Sequence, residues 1–362
     1  MPKRQEIERF LLSLAPSWLA DEDEKPGLQI STSDEEIKDV LIGLDPTEKL
    51  IQEAVRLKCQ LIITHHPLLY KPLQRISDDN PLSRVIINLC RNSMNLLCLH
   101  SNWDYAEYGL NHYLAQILKL QNTRPLERKE EKVYKLVTFV PYGHEDAVRE
   151  AICRAGAGWI GNYSYCTFQA AGTGTFYPLE GASPFLGEVG KLEKAEEYRL
   201  ETIFKESQRE AVLNALFGAH PYEEVAYDIY PLANEGVKHG LGRVGKLVKP
   251  LQWQDFLEYC RESLEISDLR WQSRGHDVVN VAVCGGKGTR LISAAKKAGA
   301  DVFITGDIGH HDWILGEELG ISLIDAGHGG LEKWFISQVA ACLREKFTGL
   351  NIHEAPPECI WK

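Results

Sequence analysis

Two distant stretches of the chain each carry a histidine followed four residues later by an acid. In the N-terminal stretch His100 and Asp104 follow an apolar run, and in the C-terminal stretch His328 and Glu332 follow another. Imidazole nitrogens and carboxylate oxygens are ligands that suit zinc, iron or manganese better than calcium. Two matching stretches of this kind predict a site for two divalent metal ions between two pseudo-symmetric halves of the protein.

A histidine pair supplies further candidate ligands. His65 and His66 follow the apolar run Leu61–Thr64, so we expect them at the carboxyl edge of a sheet, where open α/β folds place their sites. Neighbouring residues near a strand end point in different directions, so the pair serves two nearby metal ions better than one. The strand context and the matching acids favour metal binding over a pair without function.

The acids and His100 have alternative interpretations. A carboxylate such as Asp104 just after a buried strand is costly unless it is paired or bound to metal. His328 and Glu332 are spaced to share one face of a helix beginning near Gly329, although a solvated helix start could carry the same two residues. His100 either binds metal or hydrogen-bonds a ligand, and we favour the hydrogen-bonding role.

Two more segments could contact a substrate. Asp307 and His311 occupy the counterpart of the histidine-pair segment, and we predict substrate contact or proton transfer for them rather than metal binding. The glycine-rich loop Gly285–Thr289 falls between a predicted strand and a predicted helix, where free amide groups could hold a phosphate. A plain tight turn explains this loop equally well, because it lacks the Gly-Lys-Ser/Thr ending of a Walker A loop.

Strands and helices must position these residues. Apolar strand-like runs alternate with helical periodicity in both halves, which is typical of α/β units around largely parallel sheets. The predicted strands are Val40–Leu44, Leu61–Thr64, Leu96–Leu99, Val279–Cys284, Val302–Thr305 and Ser322–Asp325. The predicted helices lie near Glu48–Lys58, Leu82–Arg91, Thr289–Lys297 and Trp313–Leu319. The predicted fold class is therefore α/β, with two pseudo-symmetric halves that form one domain.

A segment of about 100 residues interrupts this pattern. From Val133 to Leu232 the runs predict a βαββαβ order, with a glycine-rich hairpin around Ala170–Tyr177, and hence a ferredoxin-like α+β insertion. A compact insertion is tolerated where its own ends lie close together. We predict residues 1–130 and 235–362 as the two halves of the metal-binding domain and residues 131–234 as the insertion. The predicted joints are Lys129–Glu131 and Asn234–Gly236.

Composition restricts the class of protein. The 362 residues are 44% hydrophobic and 25% charged, as in ordinary globular proteins. There is no apolar run of about 18 residues, so a membrane span is not expected, and the charged start differs from a secretory signal, so a cytoplasmic protein is expected. The net charge of -11 argues against a broad nucleic-acid interface. The nine cysteines lack a paired C-x-x-C spacing, which favours free thiols.

Four motifs, taken together and in order, make the chain resemble the GTP cyclohydrolase 1 type 2 homologue family, also called Nif-three-like. These motifs are Ile63–Leu68, His100–Asp104, Thr305–Asp307 with His311, and Asp325–His328 with Glu332. The resemblance covers essentially the whole chain. A further motif, His220–Glu224, makes the middle segment similar to the PII/CutA-like domain inserted in the longer bacterial members.

The resemblance implies a dinuclear metal site and a homohexamer. The ligands that it implies are His65, His66, Asp104, His328 and Glu332, with Glu332 as a bridging or shared ligand. Family members form hexameric rings whose sites face an internal cavity, and the same is implied for this chain. The segment Glu24–Gln29 and the residue Gly329 depart from the family's usual pattern, and neither contains an implied ligand.

Two classes of function agree with these residues. The leading hypothesis is a metal-dependent hydrolase of a nucleotide or another phosphorylated metabolite, and the family name points to GTP ring opening. A phosphoesterase would use the same ligands. The alternative is a non-catalytic metal-binding scaffold or sensor in which the insertion recognises a small molecule or a partner. An open coordination position would favour the enzyme, whereas closed coordination would favour the scaffold.

Overall fold

A computed structural model of the protein describes residues 1–33, 36–234 and 238–356. The chain divides into two compact units, the first made of Met1–Lys129 and Lys238–Lys362, and the second of Glu130–Val237. The domain boundaries predicted after residues 130 and 234 stay predictions. Glu235 and Gly236, which belong to the second predicted joint, lie outside the described residues.

Strands and helices alternate along most of the chain. The strands are β1 (Gly27–Ile30), β2 (Asp39–Gly43), β3 (Leu61–Thr64), β4 (Asn95–Cys98), β5 (Gln121–Glu130), β6 (Val133–Pro141), β7 (Thr167–Phe176), β8 (Glu193–Lys205), β9 (Tyr227–Pro231), β10 (Lys238–Leu251), β11 (Arg270–Gln272), β12 (Val278–Val283), β13 (Val302–Thr305), β14 (Ser322–Asp325) and β15 (Asn351–Glu354). The α-helices are α1 (Arg4–Leu14), α2 (Glu48–Leu57), α3 (Pro81–Arg91), α4 (Ser101–Tyr105), α5 (Leu110–Ile117), α6 (Glu145–Arg154), α7 (Arg209–Ala219), α8 (Trp253–Leu264), α9 (Ile292–Lys297), α10 (His310–Leu319), α11 (His328–Glu332) and α12 (Trp334–Lys346). Short 3-10 helices are at Ser17–Leu19, Glu206–Gln208 and Thr289–Leu291. The six strands predicted for the two halves are confirmed to within one residue at each end.

Two sheets form the first unit. One has the strand order β1-β4-β3-β2-β15, in which β15, β2, β3 and β4 run parallel and β1 is antiparallel to β4. The other has the order β11-β14-β13-β12-β10-β5, in which β12, β13 and β14 run parallel and have antiparallel neighbours in β10 and β11. The predicted α/β class is therefore confirmed.

Local sequence explains where several of these elements begin. Strand β3 reads Leu-Ile-Ile-Thr and is buried along its whole length, as is usual for parallel strands covered on both faces. Helix α2 begins after Thr47, whose hydroxyl accepts a hydrogen bond from the amide of Leu50 at 3.2 Å. Helix α3 begins at Pro81 after Asn80, whose side chain accepts from the amide of Leu82. Such caps satisfy amides that the first helical turn leaves without a partner.

The two faces of the first sheet pack into different cores. Leu61 and Ile63 belong to a large hydrophobic cluster that also contains Val281 and Ile304 of the second sheet. Ile62, between them in β3, packs with α2 and α3 in a smaller cluster. This alternation is the two-residue period of a strand. Because one core contains residues of both sheets, it fixes the strand ends of the two sheets relative to each other.

The second unit is an antiparallel sheet with two helices. Its strands lie in the order β7-β8-β6-β9, and its elements follow along the chain as β6, α6, β7, β8, α7 and β9. Val148 of α6 and Leu216 of α7 pack against Leu136 and Leu200 of the sheet in a separate core. This unit therefore has a hydrophobic core of its own.

The glycine-rich stretch of the second unit differs from the predicted hairpin. Most of Ala170–Tyr177 lies within the single long strand β7, and its partner β8 begins only at Glu193. Neither Gly172 nor Gly174 has a positive φ, which the tight turns of two-residue hairpins require. The turn is replaced by a longer connecting segment, residues 177–192.

Two expectations from composition concern the membrane and the cysteines. None of the helices in the described ranges is long and apolar enough to cross a bilayer. The eight cysteines in those ranges are free thiols, and most of them are buried.

Candidate metal centre

The predicted ligands lie just beyond the carboxyl ends of parallel strands. His65 and His66 follow β3, and their amides extend its pairing by donating to the carbonyls of Gly43 and Leu44 at 3.3 and 2.9 Å. Other candidates follow β4 in α4 and follow β14 in α11. Parallel strands end at a common edge of their sheet. The fold therefore brings ligands from three separate segments of the chain together.

Glu332 is central to the cluster, because its two carboxylate oxygens face different histidines. Oε1 is 3.5 Å from His65 Nε2, whereas Oε2 is 3.0 Å from His66 Nε2 and 3.1 Å from His328 Nε2. Asp104 Oδ1 is 3.8 Å from His65 Nε2, and the Nε2 atoms of His66 and His328 are 3.3 Å apart. The five predicted ligands therefore form two groups of atoms that share Glu332.

Each histidine of the cluster is held by its other ring nitrogen. The acceptors of these hydrogen bonds are Leu99 O for His65 Nδ1 at 2.9 Å, Asp45 Oδ1 for His66 Nδ1 at 2.8 Å and Asp307 Oδ2 for His328 Nδ1 at 2.8 Å. A carbonyl or an ionised carboxylate can only accept, so Nδ1 is the donor and Nε2 is the nitrogen that faces Glu332. Metal-binding histidines are oriented in this way.

Several atoms at the centre are buried without a hydrogen-bond partner. They are His65 Nε2, Asp104 Oδ1 and Glu332 Oε2. His65 is 0% exposed and Glu332 is 3% exposed, so bulk water does not satisfy these atoms. Burying such groups without a compensating partner is costly. A divalent cation would satisfy them, and three imidazoles with two carboxylates suit zinc, iron or manganese.

The pKa values reflect this crowding of charge. Burial lowers the pKa of His66, but the neighbouring carboxylates of Asp45 and Glu332 outweigh it and raise the pKa to about 10. Glu332 raises the pKa of His328 to about 9, and burial raises the pKa of Asp104 to about 7. Burial also acts to raise the pKa of Glu332, but the surrounding histidines hold this pKa well below its usual range. Because metals bind neutral imidazole, metal binding displaces protons from His66 and His328.

His100 lies beside the histidine pair. One ligand atom from each of His65, His66 and His100 lies within 4.8 Å of the others, so these three residues form another possible metal-binding group. His100 Nδ1 is 2.9 Å from Glu24 Oε1. Burial acts to raise the pKa of Glu24, but hydrogen bonds with His100 and Ser101 outweigh burial and lower this pKa. Glu24 therefore orients a fourth imidazole beside the cluster.

The two predicted substrate-contact residues have different surroundings. Asp307 is brought to the cluster by its hydrogen bond to His328, and it has a positive φ of 54°. His311 is exposed in α10, and its ring lies against His310 with the centroids 5.3 Å apart, rather than against described residues of the cluster. The geometry thus connects Asp307, but not His311, to the candidate ligands.

Sequence reasoning did not identify two carboxylates that orient the histidines. Asp45 lies two residues beyond the end of β2, so the rule that located the histidine pair would have found it. Glu24 precedes β1 and carried no signal other than its departure from the family's usual pattern. Its approach to His100 depends on tertiary structure alone.

The loop Gly285–Thr289 closes one side of the cluster. A Cβ added to Gly286, whose φ is +57°, would lie 2.3 Å from Glu332 Oε1, so only glycine fits there without a shift. The amide of Gly285 donates to Asn111 Oδ1 at 2.9 Å, and that of Gly288 donates to Thr305 Oγ1 at 2.8 Å. Two of the five amides of this loop are therefore already used within the fold, which supports the tight turn.

Comparisons with known proteins agree with one another over most of the chain. Residues 2–356 match the family model described as Duf34/NIF3 (NGG1p interacting factor 3). A protein of Bacillus subtilis (strain 168) named GTP cyclohydrolase 1 type 2 homolog is 39% identical over 353 residues, which are 96% of this chain and 95% of the relative. A protein of the same name from Halalkalibacterium halodurans is 42% identical over 319 residues, which are 87% of this chain and 85% of the relative.

A solved structure is similar along the whole chain. It is the crystal structure of a Bacillus cereus protein related to NIF3, with a TM-score of 0.77 and 39% sequence identity. The match covers 99% of this chain and 98% of the other. Fold and sequence therefore point to the same group of proteins.

Proposed function

Because the chain belongs to the Duf34/NIF3 family, we propose that its histidine and carboxylate cluster binds two divalent metal ions and that the protein is a metal-dependent hydrolase. The proposed substrate is a nucleotide or another phosphorylated metabolite. The printed name of the relatives, GTP cyclohydrolase 1 type 2 homolog, makes GTP the first compound to test.

The shared position of Glu332 is the observation that carries the proposal. His65, Asp104 and Glu332 Oε1 would hold one ion, and His66, His328 and Glu332 Oε2 would hold the other. This division would give a bonding partner to His65 Nε2, Asp104 Oδ1 and Glu332 Oε2, which are buried without one. Zinc or iron suits the ligand set best, and manganese is a further candidate.

The chain's own residues hold the ligands and control protons around them. When bound, divalent ions in such a site supply Lewis acidity and lower the pKa of water towards about 7. Asp45 and Asp307 accept hydrogen bonds from the Nδ1–H groups of His66 and His328 and so keep each Nε2 directed at the centre. Asp307 is also proposed to contact substrate or transfer a proton, and His311 is proposed for the same task from α10.

The proposal is tested first by counting metals. Protein purified without chelator should contain about two divalent metals per chain by elemental analysis, and His66→Ala should contain fewer. His310→Ala is the matched control, because His310 is an exposed histidine of α10. Native protein that stays metal-free after supplementation with zinc, iron and manganese would disprove the site.

The hydrolase part needs a separate test. GTP and a panel of phosphoesters should be screened with metal-loaded native protein and with Glu332→Gln, which removes the shared charge. Turnover that requires Glu332 is expected. Metal-loaded native protein that hydrolyses none of these compounds would instead support the alternative, a non-catalytic scaffold or sensor.

The architecture proposed from the sequence has support in the topology. The parallel triplets β2-β3-β4 and β12-β13-β14 support two pseudo-symmetric halves in one Nif-three-like domain. The order of elements from β6 to β9 supports a ferredoxin-like, PII/CutA-like insertion. A cytoplasmic homohexamer is proposed from the family resemblance, and light scattering that gives a monomer would exclude the hexamer.

A further inference from the structure

The second unit contains a cavity of about 580 Å³. Its wall is formed by residues of strands β6 to β8, by the connecting segment 177–192 and by the last three residues, Tyr222–Glu224, of the motif His220–Glu224. Sites for small molecules commonly occupy about 300 to 1,000 Å³. All of its lining residues lie in the second unit, whereas the candidate metal ligands lie in the first.

Aromatic side chains line much of this cavity. The ring of Tyr222 has its centroid 6.2 Å from that of Phe176 and 6.2 Å from that of Phe185. Phe185 is 49% exposed, although it is a large apolar residue. Aromatic faces carry partial negative charge and attract cations as well as apolar groups.

The charged residues of the lining are all acidic. Glu197, Glu223 and Glu224 contribute carboxylates, and the described lining residues include no Lys, Arg or His. Glu223 accepts a hydrogen bond from the amide of Ser183 at 2.8 Å, which ties the connecting segment to the rest of the wall. The cavity is therefore complementary in charge to a cation.

Glu197 is the most buried of these acids, at 6% exposure. Its Oε1 accepts a hydrogen bond from the Tyr222 hydroxyl at 2.8 Å, and none of the ion pairs found among the described residues involves Glu197. Its Oε2 lies over Gly174, where an added Cβ would come within 2.1 Å. A buried carboxylate without a cationic partner is costly. A cationic group of a ligand would supply that partner, which would favour its binding here.

Buried His220 fixes this arrangement. Its Nε2 donates to the carbonyl of Phe139 at 3.0 Å, and its Nδ1 accepts from the amide of Tyr222 at 3.1 Å. Both ring nitrogens are thus used in holding the backbone next to Tyr222. The motif His220–Glu224 consequently supplies a preformed wall, so ligand binding does not carry the entropic cost of ordering this segment.

We propose that this cavity binds a small organic cation, with a flat apolar body that stacks against Phe185 and Tyr222 and an ammonium or amidinium group that donates hydrogen bonds to Glu197. The recognised chemistry is a cationic N–H donor attached to an apolar ring or chain. This site is independent of the proposed metal centre, whose ligands belong to the first unit.

Three probes of nearly the same shape test the charge requirement. Benzamidine is cationic, benzamide is neutral and benzoate is anionic, so their binding to the full chain can be compared by calorimetry or ligand-observed NMR. Benzamidine should bind at least about tenfold more tightly than the other two. Equal binding of all three, or no binding of benzamidine at millimolar concentration, would overturn the proposal.

Two isosteric variants locate the binding. Glu197→Gln removes the buried charge and keeps an acceptor for Tyr222, so benzamidine affinity should fall about tenfold or more. Glu196→Gln removes the same charge from the exposed neighbour in β8 and should leave affinity unchanged. If Glu197→Gln does not fold, Phe185→Ala in the exposed segment should weaken binding instead. The assignment would be overturned if Glu197→Gln bound benzamidine as tightly as Glu196→Gln does. If Phe185→Ala has to replace Glu197→Gln, the same comparison applies to it.

Discussion

Glu332 illustrates how one residue can determine a site. It is 3% exposed and close to three histidine nitrogens, and its carboxylate is kept ionised by them. An isolated carboxylate buried to this extent would be strongly destabilising. Each histidine is in turn held by a separate acceptor, so the proposed centre depends on pairs of residues rather than on its ligands alone.

The first prediction at this scale concerns Asp45. Asp45→Asn removes the charge that orients and polarises His66, so metal affinity should fall about 10- to 100-fold. Asp39→Asn is the matched control, because Asp39 holds His353 by a similar bond of 3.0 Å at the opposite end of β2. Competition with a chromogenic chelator measures both variants. Equal affinities would contradict the orienting role.

A second prediction separates Asp104 from His100. Asp104→Asn should lower the metal content towards about one ion per chain, because it removes a charged ligand from the His65 side. His100→Asn should keep about two ions, since His100 is already paired with Glu24. Elemental analysis decides between them. The opposite ranking would identify His100 as the ligand in place of Asp104.

At the scale of elements, the site depends on the loops that follow parallel strands. The register pairs Thr64 with Cys98 and Thr305 with Asp325 at the ends of these strands, so the ligand-bearing segments begin at the same level in each sheet. The loop after β12 then places Gly286 against Glu332. A short turn that carries no ligand is therefore required for the shape of the cluster.

Substitution of Gly286 tests this requirement. Gly286→Ala should lose metal, because its Cβ would displace Glu332 Oε1. Gly299→Ala is the control: Gly299, in the turn after α9, has φ +84° and open space around the added Cβ. Both variants should lose roughly 1 to 2 kcal/mol of unfolding free energy from the positive φ, but only Gly286→Ala should lose metal. Equal metal contents, measured alongside urea denaturation, would contradict this.

At the scale of the whole molecule, all five proposed ligands belong to one of two compact units. That unit is built from two segments of the sequence, one before and one after the segment that forms the other unit. The strands flanking the second unit, β5 and β10, are neighbours in one sheet, and a Cβ on Gly240 would lie 2.2 Å from the carbonyl of Glu127. The two ends of the interposed segment therefore lie side by side in the first unit.

Excision of the second unit should consequently leave the metal centre intact. Replacing residues 131–236 with an Asn-Gly turn closes β5 and β10 as a hairpin. We expect the shortened protein to fold and to bind as many metals per chain as the full protein, measured by circular dichroism and elemental analysis. A folded, monodisperse product without metal would show that the centre needs the second unit.

Much of this protein follows from local sequence. Periodicity located the strands before the histidine pair, before His100 and before His328, because a buried parallel strand is a short apolar run whatever surrounds it. The family resemblance then implied five ligands, and the structure brings the other four together around Glu332. Asp307 was also selected by position, and the structure connects it to His328.

Tertiary structure alone decided the geometry of the cluster. The direction of each imidazole depends on its Nδ1 acceptor, and all three acceptors, Leu99 O, Asp45 and Asp307, lie 21 or more residues away in sequence from the histidines that they hold. The pairing of Glu24 with His100 and the fit of Gly286 against Glu332 likewise depend on how separate loops pack. Sequence patterns determine which residues reach the ends of strands, because burial and backbone period are local properties. Which atoms then face each other depends on sheet register and shared cores, which involve residues far apart in the chain.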